Sequence, residues 1–421
     1  MLISFRVNNC FIYNDEIEFS MRADMRYKRF SSNVSVSGKT KVLKAAMIIG
    51  PNNSGKTNFI RCLKALKNIL LNSKSMMKSN LFSDRSLCEL SVTFLENKKE
   101  YLFEAKYDTL SKEYVFERFA EITYDKYHNK KETDVIVRDF IQQNFYCKDE
   151  TVHQAMKITA KNNILIYLLD VKQFPILGEV KKIITSFASK LDIVDMNNIP
   201  IKKTIDMLKT PGQYKEKIVN FIRNADLSLE DYRYLTDDEI KISFRNTDDE
   251  EISPQENALK LPETLVEMLH LSSVYKGKAV PSYLFDSTGT KKIAALASYV
   301  IDALENGRIL IVDELDNSLH FKLTRAIITL FNNELNKNAQ LICTVHDVSL
   351  LDCQKLFRKE QIWFSHKDSE KAYLYSLSEF TSEKDKVRDT TDLIEKYRSG
   401  VFGALPEPDL FESLLEVQSN V

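Results

Sequence analysis

The sequence predicts an α/β fold with a mixed sheet at its core, and three observations predict it. Strand-like runs dominate both outer thirds of the 421-residue chain. Amphipathic helical segments fill the stretch between them. A glycine-bearing turn, "GPNNSGKTN" at residues 50–58, stands between an apolar strand and an amphipathic helix.

The opening, "MLISFRVNNCFIYNDEIEFS", alternates apolar and polar residues and reads as two strands over 2–20. It has no basic region followed by a continuous apolar core, so it is not read as a signal peptide. A charged stretch, 22–41, leads to an apolar strand at 42–49. "TNFIRCLKALKNILL" then sets Phe59, Ile60, Leu63, Leu66, Ile69 and Leu70 at helical spacing, which predicts a helix over 57–71. From 87 to 123 the period returns to two, in three runs that read as an antiparallel meander. Residues 1–134 therefore form the first part of the domain, with an antiparallel β lobe.

Residues 135–237 read as a helical insertion, from "IVRDFIQQNF", "VKKIITSFASKL", "PIKKTIDMLK" and "YKEKIVNFIRNAD". Residues 238–421 return to the α/β pattern. Strands are expected at 239–246 ("EIKISFRN") and within 267–278, and a helix opens near 288. "RILIVDEL" is a short apolar strand ending in two acids, and "FKLTRAIITLFNNEL" is a helix. "AQLICTVHD", "QIWFSHK" and "AYLYSLSEF" finish the chain as strands. No internal repeat or low-complexity tract is visible.

Lys plus Arg (59) nearly balance Asp plus Glu (60), for a net charge of -1. That excludes a chain whose whole surface grips nucleic acid, while leaving room for a local basic stripe. No apolar run is long enough to span a bilayer. The six cysteines are scattered without a C-x-x-C pair, as expected of reduced thiols in a cytoplasmic protein without a zinc site.

Gly50, Pro51, Asn52, Asn53, Ser54, Gly55, Lys56 and Thr57, continued by Asn58, fit the phosphate-binding pattern G-x-x-x-x-G-K-[ST]. Backbone N–H groups there can point at phosphate oxygens, and side chains at the two glycines would block the approach. The following helix aims its N-terminal dipole at the same anion. Lys56 is expected on the β- and γ-phosphates of a nucleoside triphosphate and the Thr57 hydroxyl on Mg²⁺. In "ILIVDELDNSLH" the buried strand delivers Asp313 to the metal's shell and Glu314 to the attacking water as general base. Ser287, Thr288, Gly289 and Thr290 open a helix. They form either a second anion site or an ordinary N-cap. His346, ending the next buried strand, either senses the γ-phosphate or is structural.

The order of these motifs resembles the ATP-binding-cassette (ABC) type of P-loop NTPase, in its soluble branch with RecF, SMC and OLD-like proteins. More narrowly, the chain is similar to stand-alone bacterial AAA-group ATPases found in abortive-infection and other anti-phage loci. The carrying words are "GPNNSGKTN", "DSTGTKK", "ILIVDELDNSLH", "QLICTVHD", "RKEQIWF", "LYSLSEF" and "YRSGVFGALP". The resemblance covers about 1–125 and 265–408 and fades in the middle. It implies a head-to-tail homodimer or higher homo-oligomer that sandwiches ATP and Mg²⁺. Lys56, Thr57, Asp313 and Glu314 of one copy would face Ser287 and Gly289 of another. Leu315–Leu319 would line the seam, and His346 would be the switch residue. Departures exist: Cys10 stands where an aromatic is usual, and Phe321 replaces a proline. The signature STGTK lacks the glutamine of membrane transporters. The family's metal-coupling glutamine has no clear counterpart among Gln142, Gln143, Gln154 and Gln173.

Two functions follow as expectations. The first is a Mg²⁺-dependent ATPase that regulates a separately encoded effector, a nuclease or toxin, in anti-phage defence, with no membrane partner. The second is a repair-type ATPase acting on DNA, for which the basic groups at 22–30 and 126–132 would touch phosphates. A kinase or GTPase leaves Ser287–Gly289 and His346 without a role.

Overall fold

The computed structural model describes residues 1–24, 27–210, 212–225, 228–236, 263–369, 371–388 and 391–405. β1 (Leu2–Asn8) and β2 (Ile17–Ser20) are the two opening strands. A hairpin, β3 (Val34–Ser37) and β4 (Thr40–Leu43), begins in the charged stretch and takes the first two residues of the strand expected at 42–49, and β5 (Ala45–Ile49) runs into the glycine turn. Helix α1 (Lys56–Asn72) follows at once. The expected meander is present as β6 (Leu87–Glu96), β7 (Lys99–Asp108) and β8 (Glu113–Tyr124).

The meander then continues where a helix was expected. β9 (Lys130–Asp139) and β10 (Asn144–Cys147) occupy most of "IVRDFIQQNF" and its flanks, so the boundary drawn at 134/135 falls inside a strand. Val135, Ile136 and Val137 are β-branched and suit a pleated surface. The Asp139 carboxylate accepts from the N–H groups of Ile141 (2.8 Å) and Gln142 (2.9 Å) and turns the chain. Ile136, Val137, Phe140 and Ile141 imitate helical spacing because a strand and a turn lie end to end.

Next come α2 (Glu150–Met156), α3 (Pro175–Ser189), β11 (Leu191–Asp195), α4 (Lys202–Lys209), α5 (Gln213–Asn224) and β12 (Asp231–Tyr234). The strands β11 and β12 are further corrections, since 135–237 was expected to be a helical insertion. The strand expected at 239–246 lies outside the described residues. The 267–278 segment divides into the end of α6 (Glu263–Leu269), β13 (Leu271–Tyr275) and the start of β14 (Lys278–Pro281). Then follow α7 (Ser282–Phe285), α8 (Thr288–Asn306), β15 (Ile309–Asp313), α9 (Phe321–Phe331), β16 (Gln340–Val345), β17 (Ile362–Lys367), β18 (Ala372–Ser376) and α10 (Leu393–Arg398).

Two large sheets carry the architecture. The antiparallel lobe has the order β10-β9-β8-β7-β6-β1-β2, and the core sheet has the order β11-β15-β16-β5-β17-β18. In the core sheet every pairing is parallel except β17 with β18. Parallel strands are covered on both faces, so their sequences read as continuous apolar runs. Ala46, Ile48, Ile309, Ile311 and Ile342 face the core shared with α1, α3 and the antiparallel lobe. Ala45, Met47, Leu310, Val312, Leu341 and Cys343 face the other core, with α8 and α9. α4, α5 and the small sheet β12-β13-β14 pack against the outer face of α8 through Ile205, Ile218, Ile222, Tyr232, Ala294 and Ala297. All six cysteines are free and buried. Among the described residues, no helix is long and apolar enough to cross a membrane.

Candidate functional site

The turn between β5 and α1 is shaped first by the protein itself. A Cβ on Gly50 would lie 2.1 Å from the carbonyl oxygen of Ser365 on β17. Gly55 adopts φ 114°, where a Cβ would also meet Ile12 Cδ1 at 2.5 Å. The sequence assigned the close approach to a phosphate, but the fold already bars a side chain at both glycines, at Gly50 through the Ser365 carbonyl and at Gly55 through its left-handed backbone. Tyr13 donates its hydroxyl to Gly55 O (3.1 Å) and Ser365 Oγ donates to Ser54 O (3.0 Å), so the loop is held from behind. Asn52, Asn53 and Thr57 are exposed, Pro51 and Asn58 half-buried, and Ser54, Gly55 and Lys56 buried.

The Lys56 ammonium donates to the carbonyl oxygens of Gly50 (2.7 Å) and Pro51 (2.8 Å) and lies 3.5 Å from His346 Nδ1. Burial pulls its pKa down to about 8, against the opposing pull of the Asp313, Glu314 and Asp316 carboxylates. The first third of the chain and the acid-bearing last third therefore meet here.

Asp313 ends β15 and Glu314 follows in the left-handed region, at φ 57°. One hydroxyl fixes both: Thr344 Oγ1 on β16 donates to Asp313 Oδ1 (2.6 Å) and accepts from Glu314 N (2.7 Å). Asp316 Oδ2 accepts from the N–H groups of His346 and Asp347, each at 2.7 Å, and so joins this loop to the histidine. Glu314 Oε1 lies 3.7 Å from His346 Nε2. Its Oε2 accepts from Asn197 Nδ2 (2.9 Å) and Asn317 Nδ2 (3.0 Å). The bonds from Asn197 and Asn317, with the pull of the nearby His346 ring, hold Glu314 below the usual carboxylate range.

At the start of α8, Ser287 Oγ accepts from Thr290 N (3.1 Å) in a conventional N-cap and also bonds Thr290 Oγ1 (2.8 Å). Ser287 and Thr288 are exposed, Gly289 half-buried and Thr290 buried. A Cβ on Gly289 would lie 2.9 Å from Ser318 O, which keeps α8 close to the loop after Glu314. The residue before the cap is anchored deeply. Asp286 Oδ2 accepts from Ser273 Oγ and Ser282 Oγ, each at 2.6 Å, and its Oδ1 from Tyr275 OH at 2.9 Å.

Lys56, Asp313, Glu314 and His346 thus share one site, while Ser287–Thr290 adjoin the loop beyond Glu314. Sequence reasoning missed Tyr13, Ser365, Thr344, Asn197 and the roles of Asp316 and Asn317. Asn197, two residues past the end of β11, brings its carboxamide to Glu314, and among the described residues Gln142, Gln143, Gln154 and Gln173 make no such bond. Of the basic groups considered for DNA, Arg22 pairs with Glu100 at 2.9 Å and Lys130 with Glu132 at 2.7 Å.

The donor set suits a magnesium-bound triphosphate. Thr57 and Asp313 offer hard oxygen ligands, and Lys56 a cation at a helix N-terminus. Two buried polar atoms, Ser54 Oγ and Asp316 Oδ1, have no hydrogen-bond partner among the described residues.

The family described as "AAA domain, putative AbiEii toxin, Type IV TA system" matches residues 45–352. No curated protein matches the chain. Among solved structures, the SMC head domain from Thermotoga maritima is similar over 89% of this chain and 98% of its own, with 12% identity and a TM-score of 0.42. An Smc head bound to the C-terminal winged-helix domain of ScpA is similar over 89% and 97%, with 12% identity and a TM-score of 0.45. An Smc head with an extended coiled coil, bound to the C-terminal domain of ScpA and derived from Pyrococcus furiosus, covers 94% and 99%, with 12% identity and a TM-score of 0.41.

Proposed function

The chain belongs to that family of AAA domains grouped with the AbiEii toxin of Type IV systems, and from this premise we propose that it is a regulatory ATPase of bacterial anti-phage defence. It binds and hydrolyses ATP in the cytoplasm, closes head to tail as a homodimer or larger homo-oligomer, and controls a separately encoded effector, a nuclease or toxin. The observation that carries the ATPase reading is the convergence of Lys56, His346 and Glu314 within one hydrogen-bonding neighbourhood.

Each residue has a role that its surroundings support. Backbone N–H groups of 52–57 cradle the phosphates, and Lys56 turns from the Gly50 and Pro51 carbonyls to the β- and γ-phosphates. Magnesium, held by Thr57 and Asp313, would neutralise charge on the leaving phosphates. Glu314 orients and deprotonates the attacking water, and His346 reports the γ-phosphate. Ser287, Thr288, Gly289 and Thr290 of a second copy close over the same phosphates, with α8's dipole favouring the anion. Exposure of Ser287 and Thr288 supports that role. The chemistry-bearing side chains assembled here serve the nucleotide, so the defence output is assigned to a partner.

Affinity capture of the tagged protein from phage-challenged cells, alongside an ATPase assay, tests this reading. Recovery of a nuclease or toxin together with magnesium-dependent turnover is expected. Full defence from this gene alone, with no such partner recovered, contradicts the effector assignment.

A further inference from the structure

Lys292 lies on α8, five positions after Ser287. Its ammonium donates to Asn317 Oδ1 (3.0 Å), Ser318 Oγ (3.2 Å) and Asn317 O (3.4 Å). The nitrogen of the same Asn317 carboxamide donates to Glu314 Oε2 (3.0 Å) and to Asn197 Oδ1 (2.8 Å). One side chain therefore has its oxygen on the signature helix and its nitrogen on the carboxylate that faces His346. The loop meets α8 a second time, where Gly289 packs against Ser318 O. Glu314 (φ 57°) and Ser318 (φ 64°) are both left-handed, a conformation that lasts only where the surroundings hold it.

We infer that Lys292 and Asn317 are positioning residues that carry the state of the signature helix to Glu314 within the same chain. The polarity of the carboxamide makes the link directional. An ammonium on Oδ1 fixes the –NH₂ group toward the carboxylate. Ser318 Oγ donates to the same oxygen (3.0 Å), a weaker neutral hold; without the ammonium's charge the amide flips more readily and sets oxygen against oxygen, which takes one of its two donors from Glu314. This inference rests on the ATPase reading and deepens it. α8, engaged through Ser287 with a phosphate bound by a second copy, sets the aim of the base in its own chain. The two nucleotide sites of a dimer are then coupled.

The test uses the full chain and compares wild type with Lys292→Met, Lys292→Arg, Asn317→Ala and the Lys292→Met/Asn317→Ala double variant. Steady-state turnover over a range of ATP concentrations, binding of a fluorescent non-hydrolysable ATP analogue and thermal melts are read in parallel. Lys292→Met is expected to lower kcat by about tenfold while analogue binding and KM stay within about twofold. Turnover should also lose its cooperativity in ATP, and Lys292→Arg should recover most of the rate. The double variant should be no slower than Asn317→Ala alone, because the two residues act as one connection. Wild-type kcat in Lys292→Met, or losses that add in the double variant, overturns the inference. Should Asn317→Ala fail to fold, the two Lys292 variants decide alone. No turnover in wild type removes the ATPase reading and this inference together, whereas normal wild-type turnover indifferent to Lys292 removes only this one.

Discussion

Gly50 and Lys56 show how one short turn answers to two masters. Lys56 is buried among carbonyls and three carboxylates, an environment that retains an ammonium only because an anionic partner is at hand. Lys56→Ala is expected to abolish binding of the fluorescent ATP analogue while the melting curve stays close to wild type. Gly50 answers to the fold as well. A methyl group there presses on the Ser365 carbonyl, so Gly50→Ala is expected to cost on the order of 1–3 kcal/mol of stability in chemical denaturation, in addition to its effect on nucleotide. A loss of nucleotide binding with unchanged stability would show that the contact with β17 yields easily. That contact could not be read from the sequence, because Ser365 is brought to the turn only by the pairing of β17 with β5. The lysine could be read, because its pattern is local.

At the scale of elements, the anchoring of α8 is the part most open to test. Asp286 gathers three hydroxyl groups beneath the junction of α7 and α8. Asp286→Ala would strand those hydroxyls at a cost of about 1–3 kcal/mol. Hydrogen exchange should then quicken over 282–290 and stay unchanged over 45–60. Equal quickening in both segments would mean global destabilisation instead. Elements with strong local patterns, such as α1, β15 and the β6–β8 meander, were legible from the sequence. β11 was not. Its five residues, Leu191–Asp195, are flanked by helices and include two aspartates, Asp192 and Asp195, and they become a strand only by pairing with Ile309–Asp313. With β11 missed, Asn197 was missed too, since its place beside Glu314 follows from where that strand ends. β9 was lost for a different reason, because its run of β-branched residues continued into an apolar turn with helix-like spacing.

For the whole molecule, the account requires two copies. The signature residues adjoin the loop after Glu314 and their serine faces solvent, an exposure that the proposed closure by a second copy needs. Ser287→Arg is accordingly expected to stop turnover while leaving ATP-analogue binding largely intact, because the substituted residue lies outside the phosphate cradle of its own chain. The most direct measurement of closure in trans is the mass of Glu314→Gln protein by mass photometry, with and without ATP, repeated with Ser287→Arg added. The account predicts a monomer without nucleotide, a dimer or larger assembly with ATP, and loss of that assembly in the double variant. A single-chain mass under both conditions, or an assembly indifferent to Ser287→Arg, would contradict it.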